Sequence, residues 1–176
     1  MTDVSNVVLA NIIVYLTTYA YFIRVFFKSN LMHTIIDSLK WAIIAYSFYM
    51  VGGYTATLCY MLLIVYEVMK LKKLHKNIFL NLILFLTSVI FLYLGGKYNL
   101  MTILPIISLF LYTVINAIYK YKYNKYVTFI VNLLIAVYSY NYMLYVLFVY
   151  KVMEIVFPFA GGSIKKVTDY FNKKIN

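Results

Sequence analysis

Seven apolar runs, separated by short polar breaks, follow one another along the sequence. Hydrophobic residues make up 65% of the chain and charged residues 12%, whereas soluble domains are about 45–50% apolar and about 25% charged. A transmembrane helix needs about 20 mostly apolar residues, so seven of them occupy nearly all of the 176 residues. The sequence therefore predicts an integral membrane protein with no separate soluble domain.

We expect an all-α fold of seven transmembrane helices. Gly, Asn and Lys mark the breaks, because Gly and Asn end helices in the left-handed conformation and lysines stay out of hydrocarbon. The predicted helices are Val7–Phe27, Leu31–Val51, Tyr54–Leu71, Ile78–Leu94, Leu100–Tyr119, Tyr126–Tyr138 and Tyr142–Phe157. The last break is the weakest, since it is marked only by the letters SYNY.

Basic residues occur in every second loop, which sets the expected topology. The last turns of helices one and three, and the segments that follow helices one, three, five and seven, contain the basic residues Arg24, Lys28, Lys70, Lys72, Lys73, Lys76, Lys120, Lys122, Lys125, Lys165, Lys166, Lys173 and Lys174. The opposite set contains only Lys97. The positive-inside rule then places the N-terminus outside and the C-terminus in the cytoplasm. The net charge of +11 is assigned to anionic lipid on the cytoplasmic face, and no nucleic-acid partner is expected.

Two hexapeptides indicate an internal repeat. VYEVMK at Val65–Lys70 returns as VYKVME at Val149–Glu154 with the acid and the base exchanged, and IAYS at Ile44–Ser47 returns as IAVYS at Ile135–Ser139. We expect two parallel three-helix repeats joined by a connecting helix (3+1+3), as in SWEET-type transporters, whose substrate sites lie between the repeats near the midplane. Chance similarity of low-complexity apolar sequence is the alternative.

The expected organisation has four parts. Residues 1–74 form the first bundle, 75–98 the connecting helix, 99–162 the second bundle, and 163–176 a cytoplasmic amphipathic tail. In this tail Ile164, Val167, Tyr170 and Phe171 share one helical face, which suits a helix lying on the membrane surface. A frayed basic tail is the alternative.

The stretches FFKSNLMHTIIDSLKWAIIAYSFYMVGGYTATL and TILPIISLFLYTVINAIYK resemble the bacterial inner-membrane YgjV-like family. The shared features are a basic first cytoplasmic loop, the turn Gly52-Gly53-Tyr54, and the Leu104-Pro105-Ile106-Ile107 start of helix five. This family is similar in shape to the SWEET, PQ-loop and PnuC-type carriers. The resemblance implies a multi-pass location in the bacterial cytoplasmic (inner) membrane and a carrier fold.

Charged residues inside the predicted spans are candidate functional groups, because they are costly there. They form three pairs at a spacing of three, which places each pair on one helical face: Asp37 with Lys40, Glu67 with Lys70, and Lys151 with Glu154. The first pair either lies in the pathway or is a shallow structural pair beside an interfacial Trp41. The other two either neutralise themselves locally or cross-pair between repeats as a cytoplasmic gate.

Further polar groups at membrane depth are candidates for solute binding: Asn11, Tyr46, Asn116 and Asn132. Such groups also join helices by hydrogen bonds. Pro105 is a candidate hinge, because proline removes one helical hydrogen bond, although membrane helices also tolerate proline without a hinge.

The sequence favours a small carrier or facilitator for a small polar solute that works by alternating access. The alternative is a non-transporting membrane subunit, either a substrate-capture component or a scaffold. A membrane-perturbing phage protein is a third interpretation. We expect no enzyme, no cofactor and no metal, since His33, His75 and the single Cys59 belong to no catalytic or metal-binding pattern. Self-association into a homo-oligomer is left open.

Overall fold

The computed structural model of the chain describes residues 4–95, 99–119 and 124–156. The predicted tail at 163–176 lies outside the described residues, as do Lys97, Lys120 and Lys122. The side chain of Arg24 is also outside what is described. Within the described ranges the protein is all-helical, as predicted.

Seven helices occur in the described part of the chain. They are α1 (Val4–Val25), α2 (Asn30–Met50), α3 (Tyr54–Leu71), α4 (Ile78–Gly95), α5 (Leu100–Ile118), α6 (Asn124–Asn141) and α7 (145–156). A short 3₁₀ turn, Leu74–Lys76, precedes α4. The weakest predicted boundary moves by three residues on each side, because α6 continues through Asn141 and α7 begins three residues later than expected.

Three of the helices, α3, α4 and α5, are long and apolar enough to cross a membrane. The apolar stretch Val4–Thr17 of α1 is shorter. Only three residues of α4 are buried, Asn81, Leu84 and Ser88, so most of its apolar surface faces outward. An exposed apolar face of this size is typical of a helix in contact with lipid. The chain therefore has the character of a membrane protein.

The connection between α2 and α3 is a Schellman turn. Gly52 has a φ of 78°, its N–H donates to the carbonyl of Tyr49 at 3.1 Å, and the N–H of Gly53 donates to the carbonyl of Phe48 at 2.8 Å. Glycine suits this turn because it adopts positive φ without a Cβ clash. The turn reverses the chain in three residues, so α2 and α3 pack side by side.

The connection between α6 and α7 has the same hydrogen bonds. Met143 has a φ of 58°, its N–H donates to the carbonyl of Tyr140 at 3.1 Å, and the N–H of Leu144 donates to the carbonyl of Ser139 at 2.9 Å. A non-glycine residue in this conformation is uncommon, which is why the sequence marked this break so weakly. α6 and α7 are therefore joined as tightly as α2 and α3.

The core lies between α1, α2, α3, α6 and α7, at the end of the bundle where these two turns meet. Phe48 of α2 is fully buried there, with its ring centroid 5.7 Å from that of Tyr60 and 5.2 Å from that of Tyr138. Tyr142 stacks on Tyr138 at 4.5 Å. We call these four rings the aromatic cluster. They fill the bundle beside the turns.

Candidate functional site

A cavity of about 240 Å³ lies between α2, α3, α5, α6 and α7. It occupies the half of the bundle away from the two Schellman turns, toward the loop that contains Lys72, Lys73 and Lys76. Its walls include Asp37, Lys40, Trp41, Cys59, Tyr60, Leu63, Glu67, Lys70, Pro105, Ser108, Leu109, Tyr112, Thr128, Val131, Asn132, Ile135, Lys151 and Glu154. The cavity thus brings together all six charged residues that the sequence singled out.

Each hexapeptide forms its own ion pair within one helix. Glu67 accepts from Lys70 at 2.8 Å, and Lys151 donates to Glu154 at 2.7 Å. The equivalent first members are the buried ones, with side-chain exposures of 3% for Glu67 and 5% for Lys151, whereas their partners retain 34% and 21%. The exchange of charges therefore places an acid and a base, rather than two acids, at the two buried positions.

The cross-repeat ion pairs proposed from the sequence are not formed. Among the described side chains, no N–O distance of 4.0 Å or less joins Glu67 to Lys151 or Lys70 to Glu154. The reason is local geometry: residues three apart on a helix are neighbours, so each acid reaches its own lysine first. In this conformation the local pairing is the arrangement that exists.

Asp37 and Lys40 form the third pair, with the Lys40 ammonium 3.8 Å from the Asp37 carboxylate. Both side chains are nearly buried, at 12% and 7% exposure, and both line the cavity. Their position one helical turn apart on the inward face of α2 explains why neither reaches solvent. Lys40 is held inside the bundle.

Trp41 lies on the cavity wall, where the sequence suggested an interfacial anchor. It is half-buried, and its ring centroid lies 5.5 Å from that of Tyr60. Its Nε1 donates to Glu67 at 3.4 Å, and the Lys40 ammonium stands 3.9 Å from the centre of its ring. The indole thus links α2 to α3. A lone Trp beside a lysine inside an apolar run was the signal that could have identified it.

Asn132 is the one of the four predicted solute-binding residues that lines the cavity. It is buried, and its Oδ1 accepts a hydrogen bond from Lys151 at 3.3 Å. Lys151 therefore contacts both the carboxylate on its own helix and the amide on α6. This pair of contacts ties α6 to α7 at the level of the charges.

The other three predicted binding residues lie elsewhere. Asn11 joins α1 to the start of α7: its Nδ2 donates to Met143 O at 2.9 Å and its Oδ1 accepts from Val146 N at 3.0 Å. Asn116 is buried, and its Nδ2 donates to Asn124 at 2.9 Å. Tyr46 faces outward with 54% exposure. Position within the apolar runs could not separate these helix-joining and surface groups from a cavity-lining one.

Pro105 lines the cavity from α5, and a π-helical turn follows it at Leu111–Ile115. Proline lacks the N–H that a regular helix would use, and π turns are frequent at functional sites. Tyr112, within the π turn, also lines the cavity, and its ring centre lies 5.7 Å from the Lys70 ammonium. The two irregular features of α5 therefore flank its cavity-lining segment.

The cavity contains no constellation of metal ligands. Within the described residues, no group of three His, Cys, Asp or Glu side chains is placed to hold a metal ion. Each of the three carboxylates of the cavity is paired with a lysine instead. The lysines compensate the negative charge that would otherwise attract a metal cation.

Comparison of the chain with family models, with curated proteins and with solved structures finds no match.

Proposed function

We propose that the protein is a multi-pass membrane carrier or facilitator for a small polar solute, and that the solute binds in the charged cavity. One observation carries this proposal: six charged side chains of α2, α3 and α7 line one cavity inside an apolar bundle. Burying such groups costs several kcal/mol per ion unless they are paired. Ionisable residues kept at membrane depth are typical of solute pathways.

The proposed topology has seven membrane crossings, with the N-terminus outside and the C-terminus in the cytoplasm of a bacterial inner membrane. On this topology the cavity belongs to the cytoplasmic half. A second cavity, of about 450 Å³, shares Thr128 and Glu154 as walls with the first and extends to Asn124 and Lys125 at the start of α6. We infer that solute enters by this route from the cytoplasmic face, while the aromatic cluster closes the outer face.

The two matching turns support the proposed 3+1+3 repeat and suggest its register. Gly52 and Met143, the positive-φ residues of these two turns, are 91 positions apart. With that offset Asp37, Lys40 and Trp41 of α2 correspond to Thr128, Val131 and Asn132 of α6, and Tyr60 and Leu63 of α3 correspond to Lys151 and Glu154 of α7. All ten of these residues line the cavity. The solute would then sit between two equivalent walls.

The same register gives a second reason why the cross-repeat ion pairs do not form. The hexapeptides are 84 positions apart, so they differ from the register of the turns by seven residues. Seven residues are about two helical turns, which keeps the same face but shifts the height by about 10 Å. Glu67 and Lys151 consequently face the same cavity at different depths.

A non-transporting scaffold is the alternative, and it predicts a dry, apolar interior. The cavity walls favour the carrier, because ion pairs and amides are a costly way to fill space that aliphatic side chains could fill. The outward-facing aromatic side chains, such as Tyr46, are equally compatible with lipid contact.

A binding screen followed by uptake tests the proposal. The purified full-length protein is screened by thermal shift against sugars, nucleosides, vitamins and amino acids, since a specific ligand raises the melting temperature. Each hit is then assayed for uptake into proteoliposomes. We expect Asn132→Leu to reduce binding and uptake at least tenfold, and Tyr46→Phe, on the outer surface, to leave both unchanged. Equal activity of the two variants, or binding without any uptake, would contradict a carrier with this site.

A further inference from the structure

We propose that the solute carries both a cationic and an anionic group and has no net charge. This inference rests on the proposed function and specifies the chemistry of its substrate. It follows from the sign, number and arrangement of the charges around the cavity.

The charges that line the cavity cancel. Among the described residues of its wall, the carboxylates are Asp37, Glu67 and Glu154, and the ammonium groups are Lys40, Lys70 and Lys151. In a medium of low polarity an extra, uncompensated charge is strongly disfavoured. A solute with a net charge would bring such a charge into the cavity, whereas a zwitterion leaves the sum at zero.

The wall also offers both signs of charge around one aromatic side chain, Trp41. The ammonium of Lys40 lies 3.9 Å and that of Lys151 lies 5.7 Å from the centre of the Trp41 ring. Glu67 Oε1 lies 3.4 Å from the Nε1 of the same indole. A carboxylate of the solute can therefore approach a lysine of the wall while its ammonium group approaches a carboxylate of the wall, with the indole beside the body of the molecule.

The three ion pairs of the cavity differ in the distance between their charged atoms. Lys40 and Asp37 are 3.8 Å apart, whereas the other two pairs are closed at 2.8 and 2.7 Å. The Lys40–Asp37 pair has the longest separation, so it loses the least electrostatic attraction when a solute inserts between the two side chains. Lys40 and Asp37 are therefore the pair that we expect to open and to receive the two ends of the zwitterion.

The size of the charged cavity favours a small solute. Its volume of about 240 Å³ is below the range of roughly 300–1,000 Å³ that is typical of sites for drug-sized ligands. A small amino acid, or a compound of similar size and charge, meets both the condition on size and the condition of zero net charge. A nucleotide or a peptide of several residues does not.

Matched analogues test the charge of the solute. Amino acids are compared with their amides, which are cations, and with the corresponding α-hydroxy acids, which are anions, by thermal shift of the full-length protein and by proteoliposome uptake. We expect the zwitterions to bind at least tenfold more tightly than either charged analogue. A preference for a cation, an anion or an uncharged sugar would overturn the zwitterion while leaving a carrier intact. No binding and no uptake in the whole screen would overturn both.

Charge-altering variants test whether the zero net charge of the cavity-lining side chains sets the preference for zwitterions. Glu67→Gln leaves one excess positive charge and should shift the preference tenfold or more toward the α-hydroxy acids, whereas Lys151→Gln should shift it toward the amides. The double variant restores the balance and should restore the preference for zwitterions. Lys72→Gln, on the exposed loop, is the control. The same preference in the single variants as in the wild type would show that the cavity does not select by net charge.

Discussion

At the scale of single residues, the buried charges of this protein are compensated within one helical turn. Lys151 is the clearest example of a compensated buried charge. Its side chain is 5% exposed, and its ammonium contacts Glu154 at 2.7 Å and Asn132 at 3.3 Å. The pairing within each helix could be predicted from the spacing of three. The contacts of Trp41 and Asn132 could not, because they depend on how neighbouring helices are rotated.

Removing Lys151 should cost more than removing its whole ion pair. Lys151→Met leaves the Glu154 carboxylate without its nearest partner, and loss of one member of a buried pair costs on the order of 3 kcal/mol. In Lys151→Met/Glu154→Gln no charge is left behind, so part of this loss should return. Thermal unfolding in detergent compares the two. A double variant that is no more stable than Lys151→Met would show that the Glu154 carboxylate is not destabilised by the loss of its partner.

At the scale of helices and loops, the two Schellman turns determine which faces of the helices that they join pack against each other. The apolar runs and the polar breaks between them predicted the seven helices of the described residues within a few residues, because these signals are local. The matching turn at Met143 was not predictable, since a non-glycine residue at positive φ gives no sequence signal of its own. The π turn in α5 was not predicted either, because no residue pattern in Leu111–Ile115 distinguishes it from a regular helix.

Gly53 permits the close contact of the aromatic cluster with the α2–α3 turn. A Cβ at this position would lie 3.0 Å from Phe48 Cδ1, 3.2 Å from Tyr138 Oη and 3.3 Å from the Phe48 carbonyl oxygen. Gly53→Ala should therefore destabilise the protein by about 1–3 kcal/mol through overpacking. Gly95→Ala is the matched control, because a Cβ there meets nothing within 4 Å. Thermal unfolding should separate the two variants, and equal melting temperatures would contradict this packing.

The loop between α3 and α4 should make stability depend on pH. Partial burial lowers the pKa of His75 below its ordinary 6.5, and the positive charges of Lys70 and Lys76 lower it further, against an opposing effect of Glu67. A lowered pKa means that protonation opposes folding. The loss of stability is therefore absent well above pH 6.5 and appears as the pH falls through that value.

The variant His75→Gln isolates this effect. It should melt like the wild type at pH 8 and at a higher temperature than the wild type at pH 5.5, when both are measured in the same detergent. The same carboxylates are present in both proteins, so the difference between the two melting temperatures reports chiefly on His75. A wild type that gains stability relative to the variant on acidification would reverse the sign and refute the interpretation.

At the scale of the whole molecule, the bundle has two unlike ends. The end that holds the turns is filled by the aromatic cluster, and the opposite half contains the charged cavity. Composition predicted the membrane character of the chain, but the convergence of α2, α3, α5, α6 and α7 on one cavity depends on contacts between residues far apart in sequence. The proposed carrier follows from that convergence.

Two matched serines allow the hydration of the cavity to be measured. Ser108 and Ser88 are both buried, and both donate to a backbone carbonyl of their own helix. Ser108 lines the cavity and Ser88 does not. Because the chain has one cysteine, a Cys59→Ala background provides a clean reference for labelling.

The most direct test is the reaction of Ser108→Cys and Ser88→Cys, each in the Cys59→Ala background, with a small zwitterionic, membrane-impermeant thiol reagent in vesicles of each orientation. We predict that Ser108→Cys reacts from the cytoplasmic face, at least tenfold faster than from the outer face, and that Ser88→Cys stays unreactive until the protein is denatured. Equal protection of both cysteines in the folded protein, or faster labelling of Ser108→Cys from the outer face, would contradict a water-filled cavity that opens to the cytoplasm.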